Sequence, residues 1–286
     1  MDHPIWRISL FGGIRASSGD RIVDRFQTQK TGVLLAYLAY HLQRRPFREE
    51  LIEILWPDVE LDAGRNRLSQ ALAWLRSVLE PDGAAKNSVL VCDRLSVGLN
   101  PEAVVTDVGD FQSAANATTS THESAVQLTT LARACDLYTG HLLPGYYDDW
   151  VLGERQRLLE IYLKSLRRLI ALSEEAKDFD RAVDFARRAI AADPLAEELY
   201  CELMRVLAAS GQSVAALREY RELERVLSKE LSLTPSAGAR ALVDARLESD
   251  FYNVAATRCA RRESRDGAQS TAADRTGLER HAEGSR

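Results

Sequence analysis

The fold of this chain is decided by three consecutive runs: QKTGVLLAYLAYHL at 29–42, FREELIEILWPD at 47–58 and DAGRNRLSQALAWLRSVLE at 62–80. Each run repeats its apolar residues at the three- and four-residue spacing of a helix. Pro46 ends the first helix and Pro57 ends the second, because proline cannot continue a helix. Asp62 is the expected N-cap of the third helix. The pattern therefore predicts three helices in close succession.

The third helix has two chemically different faces. Its expected buried stripe consists of Leu68, Leu72, Leu75 and Leu79. The opposite face is polar or small and consists of Asn66, Arg67, Ser69, Gln70, Ala73 and Ser77. A helix of this kind packs by one side and leaves the other side free for solvent or a partner.

Short strand patterns flank the three helices. Alternating apolar residues predict strands near residues 5–10, 14–16 and 22–26. A hairpin pattern, VLVCDRLSVGL at 89–99, follows the third helix. Strands, three helices and a hairpin together are the arrangement of a winged helix-turn-helix.

The outer face of the third helix and the hairpin tip suit DNA. The residues expected to contact it are Arg65, Asn66, Arg67, Ser69, Gln70, Ala73 and, at the tip, Arg94. Arg, Asn and Gln have the donor and acceptor geometry of base edges in the major groove, and small residues allow close approach to phosphates. A wing arginine can reach the adjacent minor groove. The alternative interpretation is a solvated helix face and a solvent-exposed tip.

Beyond residue 103 the pattern is almost entirely helical. It continues to about residue 248 with a weak internal period of 34 residues, which places Leu169 on Leu203 and Ala182 on Ala216. This period suits paired helices of tetratricopeptide type. Residues 258–286 are polar and charged, and they lack the apolar groups that would offset the entropy of ordering.

We therefore predict a mainly α fold with a small β component, in three parts. Residues 1–103 form a winged helix-turn-helix that binds DNA, and residues 104–250 form an all-α, tetratricopeptide-like helical-repeat domain. Residues 251–286 form a disordered tail.

Charge and composition indicate the cellular compartment. The chain has 286 residues and a formal net charge of −5. Residues 1–100 hold 13 Lys and Arg against 12 Asp and Glu, so the acidity lies outside the helix that we expect to read DNA. No apolar run approaches the ~18 residues of a membrane span, no secretion signal is present, and the four cysteines form no C-x-x-C pair. These features indicate a cytoplasmic protein with no membrane contact, and DNA binding by the third helix would make it nucleoid-associated.

The sequence contains no motif that indicates an enzyme. The sequence has no phosphate loop, no nucleophile elbow and no H-E-x-x-H metal motif, and its five histidines are scattered. We expect no catalytic residues, no cofactor and no bound metal.

Several runs carry a resemblance to a known family. They are WRISLFGGIR at 6–15, QKTGVLLAYLA at 29–39, REELIEILWPD at 48–58, RNRLSQALAWLR at 65–76, VGLNPEAVVTDVGDF at 97–111 and LYTGHLLPGYYDDWVLGERQRLLE at 137–160. In this order they resemble the Streptomyces antibiotic regulatory protein family, in which an OmpR-type winged helix precedes a bacterial transcriptional activator domain. The resemblance extends over nearly the whole chain except the tail.

The resemblance implies a function and its partners. It implies an activator of a secondary-metabolite, or antibiotic, gene cluster that binds direct repeats in double-stranded promoter DNA as a homodimer. It also implies recruitment of the RNA polymerase holoenzyme, through a sigma-factor region. No receiver domain is present, so control by a two-component phosphorelay is not expected, and the missing ATPase domain suits the short form of the family.

An alternative function belongs to a different class. The helical repeats would act as a protein-interaction scaffold, with a winged helix that does not bind DNA. The polar outer face of the third helix favours DNA binding, since an apolar face would be expected for a protein contact.

Overall fold

A computed structural model describes residues 5–80, 85–117 and 124–243. The expected tail at 251–286 lies outside the described residues. The strands are β1 (Trp6–Ser9), β2 (Arg15–Ser18), β3 (Arg21–Val23), β4 (Leu90–Cys92), β5 (Val97–Leu99) and β6 (Val104–Thr106). The helices are α1 (Gln29–Tyr40), α2 (Arg48–Leu55), α3 (Leu61–Leu79), α4 (Asp107–Ala117), α5 (Ser124–Leu137), α6 (Asp149–Glu175), α7 (Phe179–Ala192), α8 (Glu197–Ala209) and α9 (Ser213–Leu231).

The N-terminal strands form a four-stranded sheet in the order β3-β2-β1-β6. β1 pairs antiparallel with β2, as alternating patterns joined by a Gly12-Gly13 turn predict. β6 pairs in parallel with β1, with Trp6 opposite Val104. The chain therefore returns to the first sheet immediately after the wing.

The three predicted helices and the hairpin are all present. α1 is buried along most of its length, and Thr28 caps it by accepting a hydrogen bond from the backbone N–H of Thr31 at 3.1 Å. α3 begins two residues earlier than expected and has Glu60 at its N-cap position. The prediction that Asp62 is the N-cap was wrong: its carboxylate lies in the first turn and binds Arg65 at 3.0 Å instead.

Contacts divide the described chain into two compact units, Met1–Ala176 and Lys177–Arg286. In the first unit, α4 packs against β1 and β6, and α5 packs against α4 and α6. Phe111 of α4 contacts Phe11 edge to face, with ring centroids 5.6 Å apart. The ring of Trp150, at the start of α6, contacts the ring of Tyr37 of α1, with centroids 5.2 Å apart. Trp150 thus joins α6 to α1.

The second unit contains α7, α8 and α9, and a further helical segment runs from residue 237 to residue 243. α8 packs against both α7 and α9. Ala182 of α7 and Ala216 of α9, which the 34-residue period makes equivalent, are both buried. This arrangement confirms the mainly α fold class, with a winged helix-turn-helix followed by tetratricopeptide-like helices.

Candidate nucleic-acid interface

The outer face of α3 is available to a partner. Leucines Leu68, Leu72, Leu75 and Leu79 are buried, while Asn66, Arg67, Gln70 and Ala73 are exposed. Over the described residues, no hydrogen bond or ion pair links the side chains of Asn66, Arg67 and Gln70 to the rest of the protein. Their donors and acceptors are therefore free to contact a ligand.

Two other predicted residues of this face are already engaged. Arg65 donates to Glu49 at 2.9 Å and to Asp62 at 3.0 Å. The hydroxyl of Ser69 donates to the carbonyl oxygen of Arg65 at 2.8 Å. Arg65 therefore ties α3 to α2 from the edge of the face, and Ser69 contributes small size more than a free donor.

The tip of the hairpin is held by a carboxylate. Asp93 accepts from the backbone N–H of Leu95 at 2.7 Å, from the N–H of Ser96 at 2.6 Å and from the Ser96 hydroxyl at 2.7 Å. The hydrogen bonds from Ser96 lower the pKa of Asp93. A side chain that accepts from backbone two residues on can stabilise a turn that lacks glycine. The turn leaves Arg94 exposed.

The hairpin is also attached to the start of α2. The N–H of Arg48 donates to the carbonyl of Leu95 at 2.8 Å, and the N–H of Val97 donates to the carbonyl of Pro46 at 3.1 Å. The wing tip and the start of α2 thereby enclose a groove of about 500 Å³. It is lined by Phe47, Arg48, Glu49, Ile52, Arg65, Ser69, Arg94 and Leu95. Arg94 and the first half of α3 therefore face one groove.

The base of the wing is fixed to the end of α3 by Glu80, which sequence reasoning did not single out. Its carboxylate is 3% exposed and accepts from the N–H of Val89 at 2.8 Å and of Leu90 at 2.9 Å. Arg76 donates to the same carboxylate at 3.2 Å. The i,i+4 spacing of Arg76 and Glu80 was visible in the sequence, and so was the hairpin, but the contact between Glu80 and the hairpin was not.

Gly64 permits the close crossing of α2 and α3. A Cβ atom at this position would lie 2.4 Å from Cγ2 of Ile52, which is almost fully buried. Distances this short are not found between carbon atoms in packed cores. The glycine therefore sets how near α3 lies to α2.

Gly64→Ala is expected to destabilise the protein by roughly 1–2 kcal/mol. Overpacking at a buried contact costs about 1–3 kcal/mol, and the higher helix propensity of alanine offsets about 1 kcal/mol of that cost. Denaturant unfolding measures the change. Because leucine has no methyl group on Cβ, the double variant Gly64→Ala/Ile52→Leu should recover most of the loss relative to Ile52→Leu alone. Unchanged or higher stability of Gly64→Ala would contradict the crossing.

Other kinds of site are not formed in the described part of the chain. There, no three His, Cys, Asp or Glu side chains are grouped so that they could hold a metal ion. Among the described helices, none is long and apolar enough to cross a membrane.

These features define the class of protein: a winged-helix protein with tetratricopeptide-like helices. Residues 106–246 match the model of the bacterial transcriptional activator domain. The chain is 30% identical over 250 residues to the regulatory protein AfsR of Streptomyces coelicolor, which covers 85% of this chain and 24% of AfsR. It therefore spans about a quarter of that relative's length.

A solved structure shares the fold. Mycobacterium tuberculosis EmbR, in complex with a low-affinity phosphopeptide, superposes with a TM-score of 0.67 at 20% identity, over 86% of this chain and 66% of EmbR. The matched domain and the similarity to AfsR support the resemblance to the Streptomyces antibiotic regulatory protein family. This is a family of regulatory transcription factors and not of enzymes.

Proposed function

We propose that this protein is a sequence-specific DNA-binding activator of transcription, with α3 as its recognition helix and the β4–β5 hairpin as its wing. The observation that carries the proposal is the free polar face of α3 beside a fixed wing tip. Three unpaired side chains, Asn66, Arg67 and Gln70, stand on that face. Arg94 lines the same groove as the first half of α3.

The α3 residues have two proposed roles: some contact bases, and others support the position of the helix. Gln70 and Asn66 carry amides that can make paired hydrogen bonds to adenine in the major groove. Arg67 lies at the flank and would contact a base or a phosphate. Ala73 and Ser69 allow close approach, and Arg65, held by two carboxylates, orients the helix.

Arg94 would enter the minor groove next to the site that α3 reads. An arginine in a narrow minor groove gains from the negative potential there. The Asp93 turn and the link to α2 hold the tip before DNA arrives, so little ordering entropy is lost on binding.

The remaining parts of the proposal follow the family. Two protomers would bind side by side on direct repeats of a promoter and recruit the RNA polymerase holoenzyme, with a sigma-factor region as its contact. The target would be a secondary-metabolite gene cluster, and the site of action the nucleoid in the cytoplasm. Neither a cofactor nor a membrane enters this mechanism.

The second candidate function is a protein-interaction scaffold whose winged helix does not bind DNA. The helices of the second unit, which are of tetratricopeptide type, favour it. The exposed amides of Asn66 and Gln70 count against it, because interface cores are enriched in aromatic and apolar side chains.

Gln70→Ala and Asn66→Ala are each expected to weaken binding to the specific repeat by roughly 1–3 kcal/mol without unfolding the protein. Wild-type affinity should fall steeply with salt, because each neutralised phosphate releases counterions. Gel retardation on intergenic DNA of the neighbouring gene cluster, at several salt concentrations, measures both effects.

Gln156→Ala provides the matched control, since Gln156 is exposed on α6 and, among the described residues, bonds only to Glu160 in the same helix. It should bind like the wild type. If neither α3 variant differs from Gln156→Ala, helix α3 does not read the sequence. Uniform weak shifts on all DNA by the wild type would favour the scaffold.

A further inference from the structure

Phe47 and Leu95 are large apolar side chains that line the groove and stay exposed. Phe47 is 63% exposed and Leu95 is 69% exposed. They lie next to each other because Phe47 forms a β-bridge with Ser96 and the N–H of Arg48 donates to the carbonyl of Leu95 at 2.8 Å. The fold therefore presents an apolar pair, Phe47 and Leu95, at the edge of the candidate interface.

The position of Phe47 works against helix stability. Phe47 is the N-cap of α2 and makes no side-chain capping hydrogen bond. Serine, threonine, aspartate and asparagine are the residues that stabilise this position. Glu50 already lies three residues later, where a serine at the N-cap would complete a capping box. The ring of Phe47 thus neither caps the helix nor enters the core.

The charges around Phe47 and Leu95 favour a polyanion as the bound partner. Arg48, Arg65 and Arg94 line the groove. Glu49 is the acidic residue among those that line the groove, and its carboxylate forms an ion pair with Arg65 at 2.9 Å. An occupant that offers negative groups beside apolar surface fits, and a DNA backbone offers phosphates beside deoxyribose rings.

We infer that Phe47 and Leu95 pack against deoxyribose rings of the DNA backbone where the wing enters the minor groove. Arg48 then lies next to a flanking phosphate, and Arg94 enters the minor groove between the two backbones. The inference rests on the proposed function and assigns it two contact residues that carry no charge and no hydrogen-bonding group. Apolar side chains of this kind contact the minor-groove side of bound DNA in other proteins.

The substitution Phe47→Ser separates stability from binding. It supplies the missing cap, so the full-length protein should melt roughly 2–4 °C higher. It removes the apolar contact, so affinity for the promoter repeat should fall by roughly tenfold. A residue with a purely structural role would not move the two quantities in opposite directions.

Three controls identify the contact. Phe47→Leu keeps an apolar group and should bind within about threefold of the wild type. Phe47→Ser should leave the slope of affinity against salt unchanged, whereas Arg94→Ala should lower it by about one. Hydroxyl-radical footprinting reports the exposure of deoxyribose, and Phe47→Ser and Leu95→Ser should each lose the protection beside the wing.

The outcomes distinguish this inference from the proposed function. If the wild type binds a specific repeat and Phe47→Ser binds it equally, with the same deoxyribose protection, the inference is wrong and the proposed function stands. If Phe47→Ser keeps the DNA footprint but no longer retains RNA polymerase holoenzyme on the promoter, the groove binds an acidic protein segment and the inference is also wrong. If the wild type has no specific repeat, both fail.

Discussion

A fragment that ends at residue 103 is expected not to fold cooperatively, whereas residues 1–176 should fold and bind DNA. The shorter fragment contains the predicted winged-helix domain but lacks β6, which pairs with β1. It also lacks Phe111 and Leu142, both fully buried in the first unit. Each buried side chain of this size contributes roughly 1.5–3 kcal/mol. Their loss is comparable with the ~5 kcal/mol of a marginally stable small domain.

The contacts that the cut removes are spread over the sheet and α1. Phe11 loses the ring of Phe111, and the backbone N–H of Gly12 loses its bond to the carbonyl of His141 at 3.0 Å. Tyr37 loses Trp150. Tyr40 loses Glu154 and also Arg157, which donates to its hydroxyl at 2.7 Å. Burial, reinforced by the hydrogen bond to Glu154, raises the pKa of Tyr40 to about 12, so this hydroxyl stays protonated at neutral pH.

Circular dichroism during heating and the dispersion of amide NMR signals measure the difference between the two fragments. The 1–176 fragment should give one sharp transition. A 1–103 fragment that melts as sharply, within a few degrees of 1–176, would show that the winged helix is independent of α4, α5 and α6. The division of the chain at residues 103 and 250 stays a prediction until such fragments are compared.

Asp107→Ala is expected to destabilise the protein by roughly 3–5 kcal/mol, the largest effect of a single substitution proposed for this chain. The buried carboxylate of Asp107 accepts from the N–H of Leu10 at 2.9 Å, of Phe11 at 3.1 Å and of Val108 at 2.8 Å. Alanine leaves these donors without a partner, and an unsatisfied buried group costs about 1–3 kcal/mol. Burial raises the pKa of Asp107, although the backbone hydrogen bonds act against that increase.

Asp110→Ala is the matched control for this prediction. Asp110 lies on the same helix, but its ion pair with Arg7, at 3.2 Å, is about half exposed on both sides. Exposed pairs of this kind contribute roughly 0–1 kcal/mol. Urea unfolding of the full chain compares the two variants with the wild type. Equal stability of Asp107→Ala and Asp110→Ala would mean that the Asp107 carboxylate does not hold the junction between β1 and α4.

Although β6 at Val104–Thr106 lies where a helical pattern was predicted, the sequence by itself determined the helices, their order and the polar character of the outer face of α3. These features depend on residues three or four positions apart, or on the next proline, and α2 runs from Arg48 to Leu55, as its spacing predicts. The helical pattern and the order of the quoted runs were also enough to indicate the family.

Only the tertiary structure decided which side chains of that face are free. In the sequence, Arg65 and Arg67 are two equivalent arginines on one helix face. In the structure, Glu49 of α2 binds Arg65, whereas no described residue binds Arg67. The wing tip, the crossing at Gly64 and the junction at Asp107 likewise depend on partners brought close by the path of the chain. The bond from Leu10 to Asp107 spans 97 positions. Local periodicity carries no information about such pairs, because their energy arises only when distant segments pack.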